Sequence, residues 1–229
     1  MPLFREEGEY RLSASSGGGD ESNCTEIQTA YSVNNHMALM ANFMTAKDGD
    51  NIQYSWAKGK YYDGAVGYYS PLGGNGVFEV YGGVGTCNQH HQYGGDIPDG
   101  TSDLTFTKYF VQPSIGLTFK GFDIALSARI SKLYYNKIVA NPIPTNYYNP
   151  NIDPEFKELD TIAQNRSSLL FEPAITIRGG WKYVKVQMQF AKTNDLTFSN
   201  LHYEQYHFTL GLYIAIAQRY WRDIPKNKY

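Results

Sequence analysis

From Phe122 to Ser131, Phe122, Ile124, Leu126, Ala128 and Ile130 alternate with Asp123, Ala125, Ser127, Arg129 and Ser131. Every second side chain shares one face of a strand, whereas on a helix such residues would wind around the axis, so the stretch is an amphipathic β ribbon. The run before it obeys the same rule. Val111, Pro113, Ile115, Leu117 and Phe119 take one face, and Gln112, Ser114, Gly116 and Thr118 the other. Each ribbon has one greasy face and one face of small or polar residues.

The same ribbon recurs from end to end without a linker, which predicts one domain over residues 1–229. Ten strands are expected: Gly8 to Ser16, Cys24 to Val33, Met37 to Ala46, Gln53 to Ser70, Val77 to Gln89, Leu104 to Phe119, Phe122 to Ile138, Ser167 to Arg178, Tyr183 to Lys192 and Gln205 to Arg219. Their links alternate in kind. Ser16 to Asn23, Lys47 to Ile52, His90 to Asp103, Val139 to Arg166 and Thr193 to Glu204 are long or polar. Asn34 to His36, Pro71 to Gly76, Lys120 to Gly121 and Gly179 to Lys182 are tight and rich in the Asn and Gly that hairpin turns use. In a meander the odd links fall at one end and the even links at the other. The fold class this predicts is all-β: a single up-and-down antiparallel transmembrane β-barrel of about ten strands, with long loops at one rim and tight turns at the other.

Composition is compatible with that. Twenty Tyr, 12 Phe and 22 Gly favour strands, membrane interfaces and crowded interiors. A net charge of -2 argues against a nucleic-acid surface. No run approaches the roughly 20 apolar residues of a transmembrane helix, a test that a barrel passes unseen. Met1 to Phe4 is too short for an export signal, so an exported chain is expected to have lost one.

A membrane barrel is greasy outside and a soluble barrel greasy inside, and the polar face distinguishes them. It carries Arg11, Glu79, Asp123, Arg129, Glu172, Arg178 and Lys185, of both signs, interspersed with Gly and Ser. This set is expected to form a paired network in a narrow lumen, because unpaired buried charges are costly. The greasy face of the last strand, Phe208, Leu210, Leu212, Ile214 and Ile216, would face lipid. Tyr68, Tyr69, Trp181, Tyr183, Tyr220 and Trp221, at strand ends, are expected to form an interfacial girdle. Outer-membrane lipid is thus an expected partner.

The segments PLFREEGEYRLSAS, TAYSVNNHMALMAN, GYYSPLGGNGVFEVYGGVG, FVQPSIGLTFKGFDIALSARIS and LLFEPAITIRGGWKYVKVQ resemble a family of small Bacteroidota outer-membrane β-barrel proteins. The similarity covers nearly the whole chain and lies in turns, strands and girdle. It implies the barrel fold and an outer-membrane location, and assigns no chemistry. Members similar to this chain often carry a lipobox cysteine just before the PLFREEGE-like segment. No such cysteine stands here, so lipidation stays open.

Few residues point to chemistry. Cys87, His90 and His91, with Cys24, are metal-ligating types, but adjacent histidines on an extended chain point to opposite sides, and no metal or other cofactor is expected. Ser199, His202, Glu204 and His207 supply hydrolase residue types in no recognisable spacing, so enzymatic activity is not expected. The Gly-rich SSGGGD and PLGGNG lead into no helix and read as turns. Asp160-Thr161-Ile162 resembles the short O-glycosylation acceptor of Bacteroidota. Cys24 and Cys87 map near the same end of the barrel and form a possible disulfide.

Work done by surfaces remains. The loop residues Asn146, Tyr147, Tyr148, Asn149 and Phe156 supply aromatic anchors for a partner. The expected role is a non-enzymatic barrel, both termini periplasmic, acting as an accessory subunit beside other outer-membrane proteins. A narrow channel, a lipid-modifying enzyme and a soluble lipocalin-like carrier are the alternatives.

Overall fold

A computed structural model describes residues 1–19, 22–48, 55–93, 100–141, 159, 161–198 and 204–218. Among the described residues eleven strands follow one another: β1 (Tyr10–Gly18), β2 (Ser22–Ser32), β3 (Met37–Asp48), β4 (Ser55–Pro71), β5 (Gly76–Tyr93), β6 (Gly100–Thr118), β7 (Phe122–Asn141), β8 (Ser167–Gly180), β9 (Val184–Lys192), the two-residue β10 (Asn194–Asp195) and β11 (Tyr206–Ile216). Strands β1 to β9 pair antiparallel in order, β9 pairs with β11, and β11 returns to β1. Ten strands therefore close into a barrel without free edges, while β10 adds to β8 beyond the end of β9.

Register sets the slope of the wall. Paired residues followed from Tyr10 through Tyr31, Leu39, Val66, Gly82, Val111, Ile130, Phe171 and Asn194 bring the pairing back to β1 about 12 residues further along. With residues about 3.3 Å apart along strands and strands about 4.8 Å apart, this stagger tilts the strands by about 40°. Each residue then climbs about 2.5 Å towards the long-loop rim.

The four tight links gather at one rim. There the turn after β4 places Gly73 and Gly74 at φ 79° and 51°, which side chains resist. Inside the wall, a Cβ on Gly67 would lie 2.3 Å from the Tyr81 ring, and one on Gly85 would lie 2.5 Å from the Tyr61 hydroxyl. These glycines are seats for inward tyrosines of neighbouring strands.

The strands are longer than expected on one side. β5 continues to Tyr93 and β6 starts at Gly100, so the ladder runs well into the predicted His90 to Asp103 loop. β4 to β7 have 17, 18, 19 and 20 residues, whereas β1, β2 and β3 have 9, 11 and 12. The β4–β7 wall therefore stands well above the rest, with a bulge at Thr105/Phe106. At the other extreme β1 begins at Tyr10, two residues later than expected, because the chain before it leaves the wall.

Candidate functional site: a sealed lumen and its outer wall

Residues 1–9 turn into the barrel at the tight-turn rim. Met1, Leu3 and Phe4 pack with Ala38, Met40, Ala65, Tyr69, Val77, Tyr81 and Phe110 in one apolar cluster. Phe4 has no exposed surface; its ring lies 5.6 Å from that of Tyr69 and 5.6 Å from the Arg11 guanidinium. Backbone groups of the segment are met by lumen side chains. The Phe4 amide donates to Glu79 at 2.8 Å, Arg178 donates to the Met1 carbonyl, and the Tyr213 hydroxyl donates to the Pro2 carbonyl at 2.8 Å. Leu3 holds φ 60°, a conformation that costs a branched residue about 1–2 kcal/mol and persists here under complete burial. The segment is a plug.

Charges fill the lumen around and beyond it. All seven residues of the expected network lie on the inner face. Lys185 donates to Asp123 at 2.7 Å and to the Phe119 carbonyl at 3.0 Å, and Thr118 donates to Asp123 at 2.7 Å. Arg178 stands 4.0 Å from Asp123, donates to Gln187 at 2.7 Å and lies 3.9 Å over the Tyr213 ring. Further along the axis Arg129 pairs with Asp63 at 3.2 Å and stacks on Phe110 at 4.1 Å, while Glu172 accepts from Lys108 at 2.7 Å and Ser131 at 2.8 Å. Near the plug Arg11 pairs with Glu9, whose carboxylate also accepts the Arg5 and Glu6 amides at 3.2 and 3.1 Å.

The seven are thus brought to one interior but not into one cluster. Asp123, Arg178 and Lys185 form one group, Arg129 and Glu172 belong to a second, Arg11 turns to Glu9, and Glu79 is held by the plug. Asp63, Lys108 and Glu9, which complete three of these pairs, were missed from the sequence. Asp63 shares the parity of Ala65 and Gly67, and Lys108 that of Gln112 and Ser114, which is the signal that marks them as inward.

Outside, the wall is apolar. Val111, Ile115, Leu117, Leu126, Ile130, Val186, Leu210 and Leu212 are all exposed. A soluble carrier buries that face, and this fold turns it outward, as a membrane barrel does. Aromatics mark both borders. Tyr10, Tyr31, Tyr68, Phe119, Phe122 and Trp181 are exposed near the tight-turn rim. Phe43 with Tyr62, Tyr109 with Tyr134 and Phe190 with Tyr206 pair at ring distances of 4.9, 6.3 and 6.0 Å on the other side. From Phe119 to Tyr109, ten residues of tilted strand span about 25 Å of height, the thickness of the apolar band of such barrels. Tyr69 does not join the girdle. Tyr68 takes the outer face, so its neighbour must face inward, where its hydroxyl donates to the Asn34 carbonyl at 2.6 Å. Tyr183 is half-buried against the Tyr213 cluster, and Tyr220 and Trp221 lie outside the described residues.

The band is not uniform. On β6 to β9 and β11 large aliphatic and aromatic residues predominate, with Pro113, Ala128 and Pro173 among them. On β1 to β5 the outward positions include Ala14, Ser16, Thr25, Thr29, Ala41, Gly64 and Gly82, and a Cβ on Gly82 would meet nothing within 4 Å.

Cys24 and Cys87 are not bridged. Both are free and buried, on β2 and β5, with β3 and β4 between them, or about 14 Å along the wall against the 7 Å limit of a disulfide. Cys24 instead has its sulfur 2.7 Å from His207 Nε2. His90 pairs with Asp103 at 2.7 Å on the outer face, above the band. His91 faces inward, where burial first and the neighbouring His90 second hold it below the usual imidazole range. Among the described residues no three His, Cys, Asp or Glu converge as metal ligands. Asn146, Tyr147, Tyr148, Asn149, Phe156, Asp160, Ser199 and His202 lie outside the described residues; Glu204 is bonded to Ser22, with its Oε2 3.1 Å from the amide nitrogen and 3.0 Å from the hydroxyl oxygen.

No family model matches the chain, and no curated protein matches it. Among solved structures it is similar to the translocator domain of autotransporter NalP from Neisseria meningitidis, at 9% identity over 92% of this chain and 88% of that one, with a TM-score of 0.47. It is also similar to the KdgM porin (10% identity, 90% and 99% covered, TM-score 0.41) and to OmpT of Vibrio cholerae (8%, 91% and 96%, TM-score 0.27).

Proposed function

We propose that this chain is a non-conducting, non-enzymatic barrel of a bacterial outer membrane, with both termini periplasmic, that serves as an accessory subunit of a larger outer-membrane assembly. The observation that carries the reading is the plug. Residues 1–9 and the ion pairs beyond them occupy a lumen that ten strands make narrow, which speaks against traffic through it and moves the work to the outside. The small and hydroxyl-bearing positions of β1 to β4 support a lateral neighbour there. Lipid gains little from such a surface, whereas small residues let a second protein's backbone approach closely. Membership of the small Bacteroidota barrel family, which the turn and strand segments resemble, is part of the same proposal, as is a share for the loop around Tyr147 and Tyr148.

A photo-crosslinking residue at Thr29 or Ala41, on the thin wall, and at Leu126, on the opposite one, tests it in native membranes. The expected result is an adduct with another outer-membrane protein from the first two sites only. Crosslinks to lipid alone from all three would refute the accessory role.

A further inference from the structure

Two thiols face the lumen near its long-loop mouth, and among the described residues only one of them meets an imidazole. Cys24 on β2 and Cys87 on β5 are 4% and 5% exposed. Cys24 Sγ stands 2.7 Å from His207 Nε2 on β11. Strand β1 runs between these two strands, and the position it places there is Gly17, paired with Cys24 on one side and Thr209 on the other. A Cβ on Gly17 would lie 1.9 Å from the Phe208 carbonyl oxygen, so no side chain fits and the thiol reaches across. Cys87 has Tyr61 and Phe106 as its cross-strand neighbours, and neither takes up a proton near neutral pH. Lys108, the cation that acts on it, is held by Glu172.

Burial disfavours a thiolate, so a thiol out of water reacts only if its proton has somewhere to go. An imidazole within hydrogen-bond reach is such a place, and a nucleophile paired with a base is the arrangement that activates cysteine. The carboxylates of Glu26 and Glu204 act on the same thiol, and negative charge there favours the imidazolium that proton transfer creates. The pair also sits on the short side of the rim. β1 ends at Gly18, one residue past the partner of Cys24, and the Gly19 amide closes the turn by donating to the Ser22 carbonyl at 3.0 Å. On the tall side β5 runs on past Cys87 to Tyr93.

We propose that Cys24 is a modification site, a base-assisted thiol that exchanges with small disulfides reaching it from the long-loop side. The Cys24 S–H proton passes to His207 Nε2 while the sulfur attacks one sulfur of the disulfide. A bond from Cys24 Sγ to that sulfur forms, the disulfide's own S–S bond breaks, and the departing thiolate takes the proton back from the imidazolium. One thiol and one disulfide thus give one mixed disulfide and one thiol, and the reverse exchange restores Cys24. Cys87, equally buried on the same inner face, is the internal control. The inference does not depend on the accessory-subunit reading, since it concerns the isolated barrel.

The test follows the reaction of the folded, full-length chain in detergent with dithiodipyridine, whose coloured leaving group reports each exchange. At neutral pH Cys87→Ser, which retains Cys24, should react about 100-fold faster than Cys24→Ser, which retains Cys87. His207→Gln combined with Cys87→Ser should lose most of that advantage. The pH dependence separates a base from a merely structural histidine. Above neutrality the rate at Cys87 should climb roughly tenfold per pH unit, as a thiolate population does, and the rate at Cys24 by much less unless His207 is replaced. Heat-modified electrophoretic mobility reports whether each variant is a folded barrel. Equal rates at the two thiols, an undiminished rate in the folded His207→Gln protein, or one pH slope for both thiols would overturn the proposal. If a variant fails to fold, peptide mapping of the unaltered chain after brief exposure still decides, since the label must appear first on Cys24.

Discussion

Lys185 and Asp123 form the tightest test of how the lumen is held. The two side chains are 1% and 3% exposed, and Nζ sits 2.7 Å from Oδ1. Lys185→Met removes the near cation and the donor to the Phe119 carbonyl, leaving Asp123 with the Thr118 hydroxyl and with Arg178 at 4.0 Å. A buried carboxylate stripped of its partner costs about 3–5 kcal/mol. Asp123→Asn keeps an acceptor for Thr118 but leaves Lys185 beside Arg178 without a counter-charge, a loss of about the same size. In the double variant neither orphan exists. Arg178 still has Gln187, the Met1 carbonyl and the Tyr213 ring. The double variant should therefore lose no more than either single variant, about 3–5 kcal/mol at most against the roughly 6–10 of simple addition, a coupling of at least about 3 kcal/mol. Urea unfolding in phospholipid vesicles, followed by far-ultraviolet circular dichroism, measures all three. Additivity within about 0.5 kcal/mol would show that the pair is solvated and that the lumen is wetter than its geometry indicates.

Four further outcomes follow from the same structure. Phe4→Ala should destabilise the barrel by about 3–5 kcal/mol in the same assay, since the ring is fully buried in the plug; a loss below about 1 kcal/mol would place the segment outside the lumen. Leu126→Arg, in the middle of the band, should cost about 2–4 kcal/mol and Thr107→Arg, beyond the Tyr109 border, no more than about 1; equal costs would move the membrane. In planar bilayers the intact protein should show no stable open pore, and removal of residues 1–7 should produce one only when Arg129→Ala also opens the middle of the lumen; steady conductance of the intact chain would refute the seal. Thiol titration of the denatured, unreduced protein should count two free cysteines, and a count of zero would restore the bridge.

The wall was legible because a strand forces its neighbours apart. Once Ile115 and Leu126 were placed outside, Ser114 and Ala125 could only be inside, and the same parity put seven charged residues in the lumen. Legibility ended wherever alternation ended. Above the band β5 carries polar residues on both faces, so HHQY has no period and reads as loop, although His90 to Tyr93 pair with Asp103 to Gly100. Inward aromatics hid two charges. Tyr61 and Phe110 bulk out the small-polar face beside Asp63 and Lys108, and the face no longer reads as polar there. Tyr69 misled in the opposite way, since its membership of a Tyr pair at a strand end suggested lipid while parity assigns the two rings to opposite sides.

The plug had no such signal, because it is neither strand nor helix and its partners lie far along the chain. It nevertheless explains a residue that the ion-pair reading does not. Glu79 is fully buried on β5, yet it makes no ion pair among the described residues. Its described hydrogen bond is from the Phe4 amide, 75 residues away. Three strands round the wall, on β8, Arg178 gives one of its donors to the Met1 carbonyl. One oxygen of the carboxylate receives a main-chain amide and one donor of the guanidinium meets a main-chain carbonyl, backbone groups that a barrel wall cannot offer because its own backbone is spent on the ladder. Glu79 and Arg178 therefore hold a piece of chain from the inner face, one at the Phe4 amide and the other at the Met1 carbonyl.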